Sequence, residues 1–260
     1  MCEVERESNR QEVVVIARFS SYNRSMKAKM LHGWEMSTAE ARDLQAQLAS
    51  RVLKEGGSTA PGLVAGVDIS VERDGTARAA VVVLTFPEMT LVETRTAEGR
   101  PGFPYVPGLL TFREAPLILA ACEELSLSPD LILVDGQGIA HPRRLGIASH
   151  LGLLLDTPTI GCAKSRLVGI HEKPGEEAGS YAELTDDGEV IGAVLRTKTR
   201  TRPVYVSIGH KIDLKTAVCR VLECCRGYRL PEPTRLAHMA AGGQTAELIQ
   251  GSRTPSGREQ

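Results

Sequence analysis

The order of the predicted strands and helices constrains the fold more than any other feature of the sequence. The segment "LVAGVDISVERDGTARAAVVVLTF" predicts two strands joined by a turn at Asp74-Gly75, and "MTLVETRTA" predicts a third. These three strands form an antiparallel meander. Further along, the short apolar strands "DLILVDG" and "TPTIGCA" alternate with helices. A meander followed by such alternation predicts an α/β fold with a mixed central β-sheet, antiparallel and parallel, flanked by helices.

The remaining elements complete a single predicted domain over residues 37–241. A capping box at Ser37 and Glu40 begins one helix, residues 112–125 form a second, and "HPRRLGIASHLGLLL" forms a third with Pro142 in its first turn. A hairpin follows in "EVIGAVLRTKTRTRPVYVSIG", then a helix capped by Asp213 and a last helix in "PEPTRLAHMAAG". We expect residues 1–36 to be an extension that is poorly ordered or upstream of the native start, and residues 242–260 to be a disordered tail.

The net charge limits the classes of partner. The chain has 260 residues and a formal net charge of -1, which argues against a generally basic nucleic-acid coat. An enzyme that concentrates its basic residues in a groove remains compatible with this charge. No apolar run approaches the roughly 20 residues that a bilayer requires. We therefore expect no membrane partner, and we expect a cytoplasmic protein, since the cysteines require no disulfide.

Three carboxylates occupy positions that predict burial. Asp68 lies inside the strand "LVAGVDIS", Asp135 ends the strand "LILVDG", and Glu114 lies at the start of a helix. Individually, Asp135 could cap a turn, Asp68 could be an edge-strand charge, and Glu114 could be a solvated first-turn residue. Two neighbouring strands and an adjoining helix could instead bring three hard oxygen ligands together, which suits Mg²⁺ or Mn²⁺.

Basic residues and one histidine around these acids suggest further roles. Arg143 and Arg144 fall in the first turn of the helix predicted after Asp135, where backbone amides attract phosphate. Lys164 either reaches the same site or extends to the surface. His150 fits a buried core histidine. The run "RTKTRTR" forms either a rail for a phosphate backbone or a solvated hairpin face, and its cations are Arg196, Lys198, Arg200 and Arg202.

The segment "RPGFPYVPGLLTFREAP" predicts a stiff loop. Pro104 and Pro107 fix the backbone on both sides of Tyr105 and remove backbone donors, so the segment does not fit a central strand. The tyrosine is then either presented outward by the loop or folded back onto the core.

Five segments together closely resemble the endonuclease V family, the deoxyinosine 3′-endonucleases. They are "GVDIS", "FPYVPGLLTFRE", "LVDGQGIAHPRRLGIASHLG", "GCAKSRL" and "RLPEPTRLAH", in the family's order between about residues 38 and 241. The resemblance implies an RNase H-like fold. It also implies Mg²⁺-dependent hydrolysis of the second phosphodiester bond 3′ to deoxyinosine, which leaves 3′-hydroxyl and 5′-phosphate ends.

The resemblance also implies roles for particular residues. Asp68, Glu114 and Asp135 would bind the metal, Mg²⁺ or in its place Mn²⁺, and Lys164 and His238 would complete the catalytic set. A wedge that fills the gap left by a flipped base would consist of Pro104, Tyr105, Val106 and Pro107. The base pocket and its surroundings would include Gly108, Leu110, Gly136, His141 and Ile147.

Alternative functions remain open at this stage. The expected partner is DNA that contains deaminated bases, but some members of the family favour inosine in RNA, and one sequence does not reveal the contacts that read a 2′-hydroxyl. A non-catalytic nucleic-acid-binding module on the same fold is a second alternative, and a branched-DNA resolvase is a third. We expect a monomer.

Overall fold

The computed structural model describes residues 26–57 and 59–244. Its elements in chain order are α1 (Thr38–Ala49), β1 (Leu63–Val71), β2 (Ala77–Thr85), β3 (Leu91–Gly99), α2 (Leu110–Glu123), β4 (Leu131–Val134), α3 (Ile147–Leu155), β5 (Thr159–Ala163), β6 (Ile170–His171), β7 (Tyr181–Asp186), β8 (Glu189–Leu195), β9 (Val204–His210), α4 (Leu214–Glu223) and α5 (Glu232–Ala241). Within these residues, no helix is both long and apolar enough to cross a membrane.

The described strands form one mixed sheet of nine strands in the order β3-β2-β1-β4-β5-β9-β8-β7-β6. The meander β1–β2–β3 is antiparallel, whereas β1, β4 and β5 run parallel to one another. The predicted mixed sheet is therefore confirmed. Because β1, β4 and β5 are parallel and adjacent, their carboxyl ends meet at one edge of the sheet, where ligands of open α/β sheets bind.

Apolar side chains of the central strands alternate between two cores. Val64 and Leu133 face one core with helices α1, α4 and α5, while Val67 and Val134 face the other with α2 and α3. Since successive strand residues point to opposite faces, Asp68 and Asp135 share the face of Val64 and Leu133. Both carboxylates therefore lie on the side of the sheet that α5 covers.

Residues 26–36 form no regular element, yet they pack against the domain. Met26 is buried among the residues of α2 and α3, and the Lys29 amide donates a 2.7 Å hydrogen bond to the Leu154 carbonyl. His150 is fully buried, as predicted, and its Nε2 lies 2.7 Å from Nε2 of His32. The domain boundary at residue 37 stays a prediction, and most of the expected extension and tail lies outside the described residues.

Three local features concern the helix and hairpin predictions. The capping box of α1 is present, with Ser37 and Glu40 bonded reciprocally. Helix α3 begins at Ile147, not near Pro142, because residues 141–144 form a turn in which Arg144 has φ +55°. Strand β7 pairs with β8 but was not predicted, because its largely exposed, polar sequence lacks a strand's apolar alternation.

Candidate active site

Asp68 and His238 are brought together by the packing of α5 on β1. An ideal Cβ at Gly66 would lie 2.0 Å from the Pro233 carbonyl oxygen, so only glycine lets the start of α5 rest directly on the strand. Two residues along β1, Oδ2 of Asp68 accepts a 2.6 Å hydrogen bond from Nδ1 of His238. This bond leaves the other imidazole nitrogen, Nε2, as the one that can face a ligand.

Asp135 and Lys164 follow the neighbouring parallel strands β4 and β5. Asp135 is largely buried, and its Oδ2 forms an ion pair with Nζ of Lys164. Of the two interpretations for Lys164, the structure brings the side chain to the site. One ligand atom each from Asp68, Asp135 and His238 lie within 4.8 Å of one another. Two strands and helix α5, which are far apart in sequence, therefore supply one compact donor group.

Glu114 approaches the same carboxylates from α2, on the other side of the sheet edge, but it lies outside the group of atoms within 4.8 Å. Burial raises the pKa of Glu114 to about 8, and the charge of Asp68 adds to the increase while Arg113 opposes it. Burial and Asp135 likewise raise the pKa of Asp68, against the hydrogen bond from His238. Two carboxyl groups whose pKa is raised by burial and by neighbouring acids form a site that a cation would stabilise.

The chemistry of these donors fits a hard divalent cation. Carboxylate oxygens are the ligands that Mg²⁺ and Mn²⁺ prefer, and one imidazole beside two carboxylates is compatible with either ion. Within the described residues, the grouping of Asp68, Asp135 and His238 lacks the cysteines of a structural zinc site. The acidic cluster, in which Asp68 and Asp135 lie with His238 and Glu114 lies beside them, is therefore a candidate metal centre.

The proline-flanked loop is anchored at both ends and exposed in the middle. Phe103 and Leu109 are buried against Phe112, whereas the Tyr105 side chain is 71% exposed. Nη1 of Arg113 donates a 3.0 Å hydrogen bond to the Phe103 carbonyl at one end of the loop. The structure therefore has the tyrosine presented outward, not folded back onto the core.

Gly108, at the other end of the loop, is held by two side chains. Its carbonyl accepts hydrogen bonds from Nε2 of His141 at 2.9 Å and Nη2 of Arg143 at 2.7 Å. Nδ1 of His141 accepts from the Arg143 amide, so the proton resides on Nε2. Burial lowers the pKa of His141 to about 4, which keeps the ring neutral at pH 7. Nε2 therefore holds the loop directly, and Nδ1 fixes the backbone of Arg143, whose guanidinium group binds the same carbonyl.

The two arginines after His141 do not form the predicted phosphate site. Arg143 donates to Gly108 and to Oε1 of Gln45, and Arg144 forms ion pairs with Asp186 and Glu189. The prediction was wrong because it placed both residues in a helical first turn that begins only at Ile147.

An open cavity of about 380 Å³ lies between the loop and the carboxyl ends of β4 and β5. Asp135 and Lys164 line it, so the cavity adjoins the acidic cluster. The packing of its wall depends on Gly136, because a Cβ at this position would lie 2.4 Å from Cγ2 of Ile147, another lining residue. The predicted wedge and pocket residues that line it are Tyr105, Val106, Pro107, Gly108, Leu110, Gly136, His141 and Ile147; Pro104 is not among the lining residues.

The cavity is also lined by residues that were not predicted, among them Gln137, Ser165, Arg166 and Leu167. Nε2 of Gln137 donates a 2.8 Å hydrogen bond to the Ser165 carbonyl and so joins the loops that follow β4 and β5. A signal for them existed in the sequence, because the residues after two neighbouring parallel strands meet at the same sheet edge.

The run "RTKTRTR" does not form a straight rail. Residues 196–203 connect β8 to β9 as an irregular loop, and Arg196 is buried, where its Nε donates a 3.0 Å hydrogen bond to the Gly175 carbonyl. The four cations therefore do not share one face. The rail prediction was wrong because it assumed extended backbone through the whole run.

Comparison with known proteins identifies the family. The model of the endonuclease V family matches residues 46–239. The chain belongs to the endonuclease V family. The endonuclease V of Dehalococcoides mccartyi is 55% identical over 226 residues, which cover 86% of this chain and 100% of that protein.

Solved structures of endonuclease V agree in fold. The enzyme of Streptomyces avermitilis superposes with a TM-score of 0.77 at 40% identity, over 89% of this chain and 100% of that one. The Ciona intestinalis enzyme, 30% identical with a TM-score of 0.69 over 82% of this chain and 98% of its own, was solved in complex with a 24mer DNA containing an inosine followed by a ribo-adenosine. The RNase H-like fold is confirmed, and the chain is a nuclease of the endonuclease V family.

Proposed function

We propose that this chain is a divalent-metal-dependent endonuclease that cuts the second phosphodiester bond 3′ to deoxyinosine and leaves 3′-hydroxyl and 5′-phosphate ends. The observation that carries the proposal is the shared wall between the cavity and the acidic cluster, formed by Asp135 and Lys164. A base held in the cavity would place the adjoining backbone beside the carboxylates. The inosine-containing DNA bound to the Ciona intestinalis enzyme supports the same substrate class.

Asp68, Asp135 and Glu114 would hold the cation, with Mg²⁺ as the expected ion and Mn²⁺ as its substitute. When bound, such a cation activates water and neutralises charge on the phosphate. The residues of the chain then hold and orient the substrate. Lys164, paired with Asp135, would place its ammonium group on the phosphate at the cleaved bond. His238 would orient the Asp68 carboxylate and direct Nε2 toward the reacting groups.

The wedge and the cavity would provide lesion specificity. The exposed ring of Tyr105 would stack in the gap that the flipped base leaves in the strand, and its stiff, doubly anchored loop lowers the entropy cost of binding. Hypoxanthine presents a carbonyl and a ring N–H where adenine presents an amine and an unprotonated nitrogen. Backbone groups around Gly108, Leu110 and Gly136 would distinguish those edges, since glycine allows the backbone close to the base.

A cleavage assay on matched strands tests the proposal. One strand carries deoxyinosine in DNA, one carries inosine in RNA, and undamaged copies of both serve as controls, each with Mg²⁺ and with a chelator. We expect Mg²⁺-dependent nicking one nucleotide beyond deoxyinosine, and no product from Asp135→Ala. Equal nicking of damaged and undamaged strands would contradict the lesion specificity, and activity in chelator would contradict the metal requirement.

The RNA arm of the assay tests the second candidate function. The DNA bound by the Ciona intestinalis enzyme has a ribo-adenosine after the inosine, so a ribonucleotide at that position is compatible with that family member. Preferential cleavage of the RNA strand would keep the active site and change the biological substrate. Cleavage of a four-way junction that lacks inosine would instead favour a resolvase. We further propose a cytoplasmic monomer with its catalytic domain over residues 37–241.

A further inference from the structure

The loop that joins β8 to β9, residues 196–203, lies at the edge of the sheet that carries the active site. Ala163, the residue before Lys164, pairs with Tyr205 of β9, and Val204 pairs with Leu195 of β8. The carboxyl end of β5 and both ends of the loop are therefore close together. The loop thus adjoins Lys164 through the sheet register alone.

Arg229 joins the loop to Lys164. Its Nη2 donates hydrogen bonds to the carbonyls of Lys164 at 2.7 Å and Pro203 at 2.9 Å, and its Nε donates to the Arg202 carbonyl at 3.0 Å. One rigid guanidinium group therefore holds the backbone of the loop and of Lys164 at a constant spacing. Such a connection predicts that the two segments act on the same ligand.

The loop is ordered by its backbone and leaves its cationic side chains exposed. Arg196 anchors the loop by donating to the carbonyls of Pro174 and Gly175. Lys198, Arg200 and Arg202 are exposed, and none of them forms an ion pair with another residue in the described part of the chain.

Two acidic residues lie beside the loop. The Glu177 carboxylate is occupied by the Thr199 hydroxyl at 3.1 Å, and the Arg200 amide donates to the Glu176 carbonyl. The first contact joins two side chains and the second fixes the backbone of the loop. Among the described residues, neither acid forms an ion pair with the three exposed cations. The exposed side chains of Lys164 and Arg166 continue the same positive surface toward the cavity.

We propose that the β8–β9 loop binds phosphates of the substrate strand next to the cleaved bond, through Lys198, Arg200 and Arg202. The inference rests on the proposed function, because it places the scissile phosphate at Lys164. A polyanionic strand fits better than an acidic protein surface, since the cations continue from the residue that faces the reacting phosphate. The contacts would add affinity without reading sequence.

The salt dependence of binding tests this surface. The double variant Lys198→Gln/Arg202→Gln removes two charges and leaves Arg200, whose φ of +58° few residues accept. The matched control Arg51→Gln/Lys215→Gln removes two exposed cations at the opposite edge, where the Lys211 amide bonds to the Leu53 carbonyl. Both pairs are made in an Asp68→Asn background with Mg²⁺, so that a fluorescein-labelled single strand with one deoxyinosine stays intact.

We expect the slope of log Kd against log KCl concentration to shrink by about 1.4 in the loop variant, which corresponds to two lost phosphate contacts on a single strand. The control pair should leave the slope unchanged, and thermal unfolding should confirm that both variants fold. Strands shortened on either side of the inosine locate the contacts. The difference in slope between the parent and the loop variant should disappear once the strand lacks the phosphates that the loop binds.

If the loop variant and the control variant give the same slope of log Kd against log KCl concentration, the inference is overturned. The same experiments distinguish a failure of this inference from a failure of the proposed function. If the unmodified enzyme cuts inosine strands and the slopes are equal, only the loop assignment fails. If it cuts no inosine strand but the loop variant still has the smaller slope, the surface binds nucleic acid and the substrate assignment fails.

Discussion

Nδ1 of His238 lies 2.6 Å from Oδ2 of Asp68, although the two residues are 170 positions apart in the chain. One stands on α5 and the other on β1, and the contact depends on the close approach of the two elements at Gly66 and Pro233. A carboxylate that is buried beside other acids needs such a donor to hold its orientation.

Replacing His238 with alanine should lower cleavage by about 10- to 100-fold, because the Asp68 carboxylate loses the hydrogen bond that orients it. The concentration of Mg²⁺ that gives half-maximal rate should rise as well. His171→Ala, on the remote strand β6, serves as the control. An unchanged metal requirement in His238→Ala would contradict the orienting role.

Glu114 should make the metal-free protein less stable as pH rises. Its folded pKa is about 8, above the ordinary value of 4.5, so between these values the native state retains a proton that the unfolded state has lost. Stability then falls with pH in this window, by up to about 1.4 kcal/mol per pH unit from this group. Urea unfolding in chelator from pH 5 to pH 8 measures the slope. Glu114→Gln should remove this contribution, and identical slopes in the two proteins would contradict it.

Tyr105→Ala should weaken binding to an inosine strand by about 5- to 150-fold, the range that corresponds to 1–3 kcal/mol of lost stacking. Tyr105→Phe should retain most of the affinity, because the ring stacks and the hydroxyl is not required. Tyr181→Ala is a matched control, since Tyr181 is also an exposed tyrosine but lies on β7. Equal weakening on damaged and undamaged strands would argue against a wedge.

Gly136→Ala should narrow the cavity, because the new Cβ would lie 2.4 Å from Cγ2 of Ile147. Overpacking of this kind costs about 1–3 kcal/mol, so we expect weaker binding of the inosine strand or lower stability. The double variant Gly136→Ala/Ile147→Ala should restore part of the loss, since the second change removes the clashing methyl. A double-mutant cycle on binding measures this coupling, and additive losses would show that the contact does not shape the cavity.

Arg229→Gln should lower kcat by roughly 10-fold. The substitution removes the guanidinium group, whose hydrogen bonds hold the carbonyls of Lys164, Arg202 and Pro203. Arg229→Lys should recover only part of the rate, since a single ammonium cannot match the guanidinium fork. Single-turnover cleavage with saturating enzyme separates this effect from substrate affinity. Equal rates for Arg229→Gln and the unmodified enzyme would contradict a positioning role for Arg229.

The predictions that succeeded from the sequence depend on local rules. Ser37 and Glu40 form their capping box within one helical turn, and Asp213 caps α4 in the same way. The prolines around Tyr105 restrict their own backbone, so the sequence predicted a stiff loop and left two orientations open for the tyrosine. The apolar strands ending at Asp135 and before Lys164 likewise predicted the parallel part of a mixed sheet.

The predictions that failed depend on contacts across the molecule. Arg143 and Arg144 look like phosphate ligands in sequence, but Gly108, Gln45, Asp186 and Glu189 occupy them. His141 lines the cavity as predicted, but its hydrogen bond to the Gly108 carbonyl is a contact across the molecule that the sequence did not reveal.

The sequence by itself determined most of the element types, the stiff loop and the identity of the acids, because these depend on periodicity, capping and backbone restriction between near neighbours. Only the tertiary structure decided which cations face the active site. Arg196 and Arg202 are six residues apart in one basic run, yet one is buried and the other is exposed beside Lys164. The physical reason is that a side chain's partners are set by sheet register and helix packing, which join residues that are distant in the chain.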